Sequence, residues 1–333
     1  MNNRFYELVQ DFLTKYLIDE CNYSDNTRKS YATVFRIFIK FIKEEKINGI
    51  NEIEIELITK EVIIQFLDWL ERNRKNSIST RNHRLMVLKS FFRYVLLNEP
   101  DLSNNCFKIL NINFKKVPKK IISYFTEDEI KMIINYLNDI KDLKHLTMIC
   151  VLYETAARVS EFINIKISDL DLRDNANIVL YGKGSKARKI PISQELVKLI
   201  NLYINEVYID YGENYLFYST HKNKFHRDSI NKYIDKLVKI LKEKHPGYFL
   251  KKYHPHSLRH SKGTNLYNNN TPLLYIKEFL GHKSITSTQI YATPDTAKQR
   301  KEILKNAQSI KTKTRYTKTN QDDFEEWLKM NMK

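Results

Sequence analysis

The stretch LGHKSITSTQIYATP, residues 280–294, places a histidine, His282, nine positions before a tyrosine, Tyr291, among hydroxyl side chains. The chain has 21 tyrosines, so Tyr291 alone reads as an ordinary half-buried aromatic. Three further stretches in the same half change that reading: TAARVSEF (155–162) with Arg158 and Glu161, GKGSKARKIP (182–191) with Lys183, Lys186 and Arg188, and HPHSLRH (254–260) with His256, Arg259 and His260. Together they supply guanidinium groups, imidazoles, an amine and a phenol, a set suited to attack on a phosphodiester. Negative charge builds on the nonbridging oxygens of such an ester in the transition state, so catalysis needs positioned cations. Arg158 and Arg259 fit because guanidinium stays charged at neutral pH and offers forked donors to two oxygens.

A phenol with the ordinary pKa of about 10 is almost wholly protonated at neutral pH, so Tyr291 as a nucleophile needs nearby cations or a base. His256 and His282 add donors, and His256 can hold or accept a proton. The leaving alkoxide needs a proton in turn. Lys183, in a Gly-rich basic turn, is the candidate general acid, with a pKa lowered by neighbouring arginines. Glu161, one turn beyond Arg158, suits orientation of a cation, and His260 suits packing behind the site. His254, His256 and His260 lack the Cys or carboxylate partners of a zinc site, so no metal is expected.

Helical spacing dominates the elements that must position these groups. Residues 27–43 repeat apolar side chains at Tyr31, Val34, Phe35, Phe38 and Phe41 or Ile42, with Ser24 or Asn26 as candidate caps. Similar patterns predict helices at 60–73 and 80–98, so residues 1–107 form a small helical bundle. A Lys-rich stretch around Pro118 marks residues 108–123 as a basic linker. Thr126 and Glu129 make a capping box that opens a second domain, 124–300. Within it the patterns predict a buried helix at 143–155, two strands over 177–193, and helices near 194–208, 227–244 and 256–268. Thr271 and Pro272 suit the N-cap and first position of a short helix that Gly281 ends, and Ser284 suits a cap on the next, which carries Tyr291. A polar tail, 301–333, holds an apolar stripe of Phe324, Trp327 and Leu328.

Charge narrows the partners. The chain has 56 basic and 39 acidic residues, net +17. Residues 1–115 hold 18 basic and 15 acidic residues, +3, which leaves 38 basic and 24 acidic, +14, for the remainder. Such a field favours a polyanion, most simply nucleic acid. Arg28, Lys29, Arg81, Arg84 and Lys89 flank the apolar stripes of the bundle, the pattern of a solvated face, while Lys186 and Arg188 lie in the basic turn and are candidates to touch phosphates. No apolar run reaches the roughly 18 residues that cross a bilayer, and the N-terminus lacks a signal-peptide pattern, so a cytoplasmic, nucleoid-associated location is expected. Cys21, Cys106 and Cys150 show no CxxC spacing and are expected as reduced thiols.

All five motifs in order resemble the tyrosine recombinase (phage integrase) family, most closely its compact Xer-type members, over about residues 5–300. The resemblance rests on Arg158 with Glu161, Lys183 in the hairpin turn, His256 and Arg259 in HxLRH, His282 in LGH, and Tyr291. It implies a mainly α fold with a small β-sheet: a helical N-terminal core-binding (SAM-like) bundle plus an α+β catalytic domain. It implies site-specific cleavage and rejoining of double-stranded DNA through a 3′-phosphotyrosine and a Holliday junction by a DNA-bound homotetramer, without metal or ATP, and with room for an accessory protein. It also makes Arg28, Lys29, Arg81, Arg84 and Lys89, with Lys186 and Arg188, candidate DNA contacts. The alternatives are relaxation of DNA in the manner of a type IB topoisomerase and a noncatalytic DNA-binding role. Two features depart from the pattern. Ala156 stands where family members usually have Gly, two residues before the first arginine, and the tail beyond about Ala307 is longer than a compact member requires; it is a candidate for docking on a neighbouring protomer.

Overall fold

A computed structural model describes residues 3–45, 53–118, 122–182, 186–219 and 221–292. Lys183 and the tail with Phe324, Trp327 and Leu328 lie outside the described residues. The chain divides into two compact units, Met1–Lys120 and Ile121–Lys333. Among the described residues the fold is mainly helical with one three-stranded sheet.

The first unit contains α1 (Arg4–Asp11), a wider π-type turn segment (Phe12–Glu20), α2 (Asp25–Glu44), α3 (Lys60–Arg72), α4 (Ile78–Asn98) and α5 (Ser103–Leu110). The apolar stripe expected on α2 is buried at Tyr31, Val34, Phe35, Phe38, Phe41 and Ile42, and Ser24 is its N-cap. α5 carries Cys106 and Ile109 into the same core, which Ile112 also joins, so the bundle's apolar contacts run past residue 108. Phe91 of α4 is fully buried, and its ring meets Phe35 at 5.1 Å, Phe92 at 5.3 Å and Phe12 at 5.4 Å, all in edge-on geometry. Those contacts join α2, α4 and the π-type segment, the kind of aromatic packing that adds to simple area burial.

The second unit opens with α6 (Glu127–Asp139), where the capping box forms: Thr126 Oγ1 accepts from the Glu129 N–H and Glu129 Oε2 from the Thr126 N–H. The buried α7 (Leu143–Thr155) packs against α6, α9 (Gln194–Glu206) and α11 (Pro255–Asn268). A short α8 (Val159–Phe162) leads to an antiparallel sheet in the order β1 (Leu170–Asp171), β2 (Asn177–Tyr181), β3 (Ala187–Pro191). The pairing Ile178↔Ile190 and Leu180↔Arg188 sets the register. Ile178, Leu180 and Ile190 point into the core, and strand alternation places Arg188 on that inward face. α10 (Arg227–Lys244) completes this core through Ile230, Ile234, Leu237 and Leu241.

α12 (Leu273–Leu280) begins one residue later than expected: Pro272 is its N-cap, with an extended ψ of 139° that leaves Leu273 as the first helical residue. Gly281 ends it in the left-handed region at φ 63°, as its position suggests. Ser284 does cap, but only a single 3₁₀ turn, Ile285–Ser287, and Tyr291 sits on a second one, Gln289–Ala292. The short β1 was not legible as a strand in the sequence.

Phe91→Ala should destabilise the helical unit by about 3–5 kcal/mol, as expected for a large side chain removed from a filled core. Urea denaturation of the bundle, followed by far-UV circular dichroism, checks this.

Candidate active site

The site is built on helix ends. α7 stops because Ala156 takes a left-handed conformation, φ 48° and ψ 33°, which an L-residue with a Cβ adopts at a cost of about 1–2 kcal/mol. Thr155 supports the turn: its hydroxyl donates to the Val151 carbonyl at 2.6 Å and accepts from the Ala157 N–H at 3.2 Å. The departure from Gly at this position is thus accommodated with the turn kept. Arg158 follows at once and stands at the N-terminus of α8.

The C-terminus of α12 supplies acceptors. The last carbonyls of a helix have no partner within it. Here Phe279 O accepts from Arg188 Nε at 3.2 Å, Leu280 O accepts from Arg259 Nη2, and Gly281 O accepts from Arg158 Nη2 at 3.0 Å. Three guanidiniums from β3, α11 and the α7–α8 turn therefore meet on three successive carbonyls. Arg259 is wholly buried and also donates through Nη1 to Ala156 O at 2.7 Å. Burial, then the nearby Arg158, pushes its pKa down to about 9, which still leaves it cationic at neutral pH. Its Nε–H has no hydrogen-bond partner among the described residues, an unusual state for a buried charged donor.

Glu161 balances this charge. Its Oε1 accepts from Arg158 Nη1 at 2.7 Å and Arg188 Nη1 at 3.0 Å, and its Oε2 from the Arg158 N–H at 2.9 Å and Arg188 Nη2 at 2.8 Å. Burial would raise its pKa, but these donors, Arg188 foremost, hold the carboxyl at about 2.

Tyr291 is 5% exposed. Its ring lies over Gly263 of α11 and packs with Ala156, Ile276 and Leu280, and its hydroxyl hydrogen-bonds to His260 Nδ1 at 3.0 Å. Burial pushes the phenol up to about 12, against the opposing influence of Arg259 and Arg158. The cations are close enough to act on the phenol, yet in the free protein burial outweighs them. His282 stacks parallel to the Tyr291 ring with centroids 6.3 Å apart, and its Nδ1 meets the hydroxyl of the buried Thr288 at 3.0 Å. Burial, then Arg259, lowers His282 to about 4. His256 stands edge-on to His260 at 4.5 Å; the protein packed about its ring, then Arg259, lowers it to about 4. His260 is lowered to about 3 by burial and then by His256. All three rings are neutral at pH 7.

The structure thus gathers Arg158, Glu161, His256, Arg259, His260, His282 and Tyr291. Three of the expected DNA contacts lie elsewhere than expected. Arg188 faces inward onto Glu161, because β3 alternation puts it with Ile190. Arg81 and Lys89 are buried: Arg81 Nε lies 3.1 Å from Glu71 Oε1, and Lys89 Nζ sits 4.8 Å from the Phe114 ring centroid. Both follow the helix's inner face, not its solvent face. Arg84 is half-buried, its Nη1 without a partner among the described residues, while Arg28 and Lys29 pair with Asp25 and Lys186 is exposed. Sequence reasoning missed Gly263 and Thr288. A helix-interior glycine in a chain with only 7 glycines was the available signal for the first; nothing marked the threonine. Among the described residues no group of three His, Cys, Asp or Glu side chains could hold a metal, and no helix is long and apolar enough to cross a membrane.

Residues 123–298 match the phage integrase family, and residues 8–101 match the phage integrase N-terminal SAM-like domain. The chain belongs to the phage integrase family. Among its relatives, the tyrosine recombinase XerA of Pyrococcus horikoshii is 32% identical over 248 residues, covering 74% of this chain and 80% of its own. XerC of Listeria innocua is 31% identical over 304 residues, covering 86% and 92%. The phage integrase fold is seen again in the Tn1549 transposon integrase in complex with transposon right end DNA, 20% identical, covering 90% of this chain and 99% of that one at a TM-score of 0.69. This integrase is a compact, Xer-type tyrosine recombinase, an enzyme of DNA strand cleavage and rejoining.

Gly263→Ala should slow DNA cleavage at least ~100-fold, since the new Cβ would lie 2.7 Å from Tyr291 Cζ and shift the ring. Alanine favours a helix by about 0.5–1 kcal/mol over glycine, so a thermal melt should show the fold retained while a cleavage assay shows the loss. A second outcome concerns pH. His256, His260 and His282 fall to about 4, 3 and 4 from the ordinary 6.5, so the unfolded chain takes up three protons that the folded one refuses. Stability should decline as pH falls from about 6.5 towards about 4, and His260→Gln should flatten that slope in urea titrations across the range.

Proposed function

We propose that this enzyme cuts double-stranded DNA at a specific site with Tyr291 as nucleophile and passes strands between two paired duplexes. The observation that carries the reading is a buried phenol under the influence of two guanidiniums, one of which, Arg259, keeps a donor without a partner among the described residues. Arg158 and Arg259 hold the nonbridging oxygens of the scissile phosphate, where charge accumulates. Tyr291 Oη bonds to phosphorus as the bond to the 5′-oxygen breaks. Lys183 donates a proton to that oxygen, and the phenol proton passes to a neutral imidazole, through His260 Nδ1 at 3.0 Å from the hydroxyl, with His256 edge-on beside it as the further acceptor. His282, steadied by Thr288, donates to a phosphoryl oxygen. The 3′-phosphotyrosine keeps the ester's energy, so resealing by a 5′-hydroxyl needs neither ATP nor a metal.

Exchange between two duplexes requires four strands cut in pairs, so a homotetramer working through a Holliday junction follows from the reading. The excess of +14 on the residues after 115 supplies sequence-independent attraction to phosphates, with Lys186 exposed beside the sheet to contribute. Arg28, Lys29 and Arg84 are the bundle's candidates for phosphate contact. Docking of the tail on a neighbouring protomer and an accessory protein remain parts of this proposal, as does action in the cytoplasm at the nucleoid.

Tyr291→Phe should abolish the covalent protein–DNA adduct on nicked suicide substrates while band-shift binding stays within about twofold, since one hydroxyl is removed from a packed ring that makes no phosphate contact of its own in binding. A persistent adduct would move the nucleophile elsewhere, Tyr275 being 63% exposed on α12.

A further inference from the structure

The hairpin arginine that a sequence pattern assigns to DNA is committed inside the protein. Arg188 has a side chain only 14% exposed, and three of its N–H groups are taken: one by Phe279 O and one by each oxygen of Glu161. The neighbouring backbone is shaped around it. A Cβ added at Gly281 would lie 3.2 Å from Arg188 Nη1, so the glycine that ends α12 also makes room for the guanidinium. Arg188 therefore ties β3, the strand that closes the basic hairpin, to α8 and to the end of α12.

Charge bookkeeping gives that tie a function. Arg158, Arg188 and Arg259 contribute three positive charges and Glu161 one negative, so the cluster carries +2. Without Arg188, Glu161 would be left to Arg158 alone, and the pair would be close to neutral where the scissile phosphate must bind. We propose that Arg188 is a positioning residue that engages Glu161 so that Arg158 keeps its positive charge for the phosphate. The idea rests on the recombinase reading and adds to it a residue that acts through another, without touching DNA. The low pKa of Glu161, about 2 with Arg188 as the leading favourable influence, agrees with a carboxylate that stays charged and must be balanced.

The test uses the full chain and three variants: Arg188→Lys, Arg188→Met, and Arg188→Met combined with Glu161→Gln. Measured for each are the cleavage rate on nicked suicide DNA, single-site binding as a function of salt, and the thermal midpoint. Arg188→Met should cleave on the order of 100-fold more slowly, the scale of losing one preorganised electrostatic contact. Its salt slope should match that of the parent, whereas loss of a phosphate ligand would lower the slope by about 1. Arg188→Lys should recover only part of the rate, because an ammonium cannot grip both carboxylate oxygens and the Phe279 carbonyl together. The double variant should cleave at least ~10-fold faster than Arg188→Met, since a neutral residue 161 leaves Arg158 free. A slope lowered by about 1 with unchanged cleavage of bound DNA would make Arg188 a DNA ligand and overturn the proposal. So would a double variant no faster than the single one. Should Arg188→Met fail to fold, Arg188→Lys decides: parental activity overturns the proposal, and a slower rate on an unchanged slope supports it. A Tyr291→Phe control that still joins DNA would instead overturn the recombinase reading itself.

Discussion

Everything in the catalytic unit turns on the C-terminal end of an eight-residue helix. The last carbonyls of α12 are taken one after another by Arg188, Arg259 and Arg158. Helix C-termini favour cations, both for the unpaired carbonyls and for the dipole. A single such end therefore draws together three groups that would otherwise repel, and it does so from a strand, a helix and a turn up to 123 positions away in the chain. The same helix end places Gly281 and His282, and from there two short turns bring Tyr291 back over α11. Positioning of the cations and of the Tyr291 phenol is one problem in this fold, solved in one place.

The electrostatics carry a competition. Two arginines lower the pKa of Tyr291, but burial raises it by more, to about 12. The same burial keeps His256, His260 and His282 neutral beside a dense positive cluster. A neutral ring can accept a proton or donate a hydrogen bond without adding charge, and the phenol beside these rings stays protonated. Glu161 is the sole acid in direct contact with this set among the described residues, and both its oxygens are used by arginines.

Much of this was legible from residue types. Periodicity located α2, α3, α4 and the longer helices of the second unit to within two or three residues, because their buried stripes are strong. The catalytic motifs were legible because charged and aromatic side chains of that kind have few reasons to recur in that order. What escaped notice was direction. Arg81, Lys89 and Arg188 are basic residues at places that face inward, and composition treats them like any surface charge. For Arg188 the clue was present: in a strand, a residue two before the buried Ile190 shares its face. Gly263 was passed over because a missing side chain announces no chemistry, although its absence is what admits the Tyr291 ring. The start of α12 slipped by one residue because Pro272 is compatible with either the cap or the first turn.

Ala156 sits in a backbone basin that most side chains avoid, and its carbonyl is one of the two that receive Arg259. The methyl group there has a counterpart benefit: it fills a small apolar niche shared with Ile276, Leu280 and Tyr291. A hinge-like bend made with alanine is stiffer than one made with glycine, since fewer rotations remain open to it. The Ala156 carbonyl is therefore kept in place before any substrate arrives, a rigid cradle under a fully buried cation.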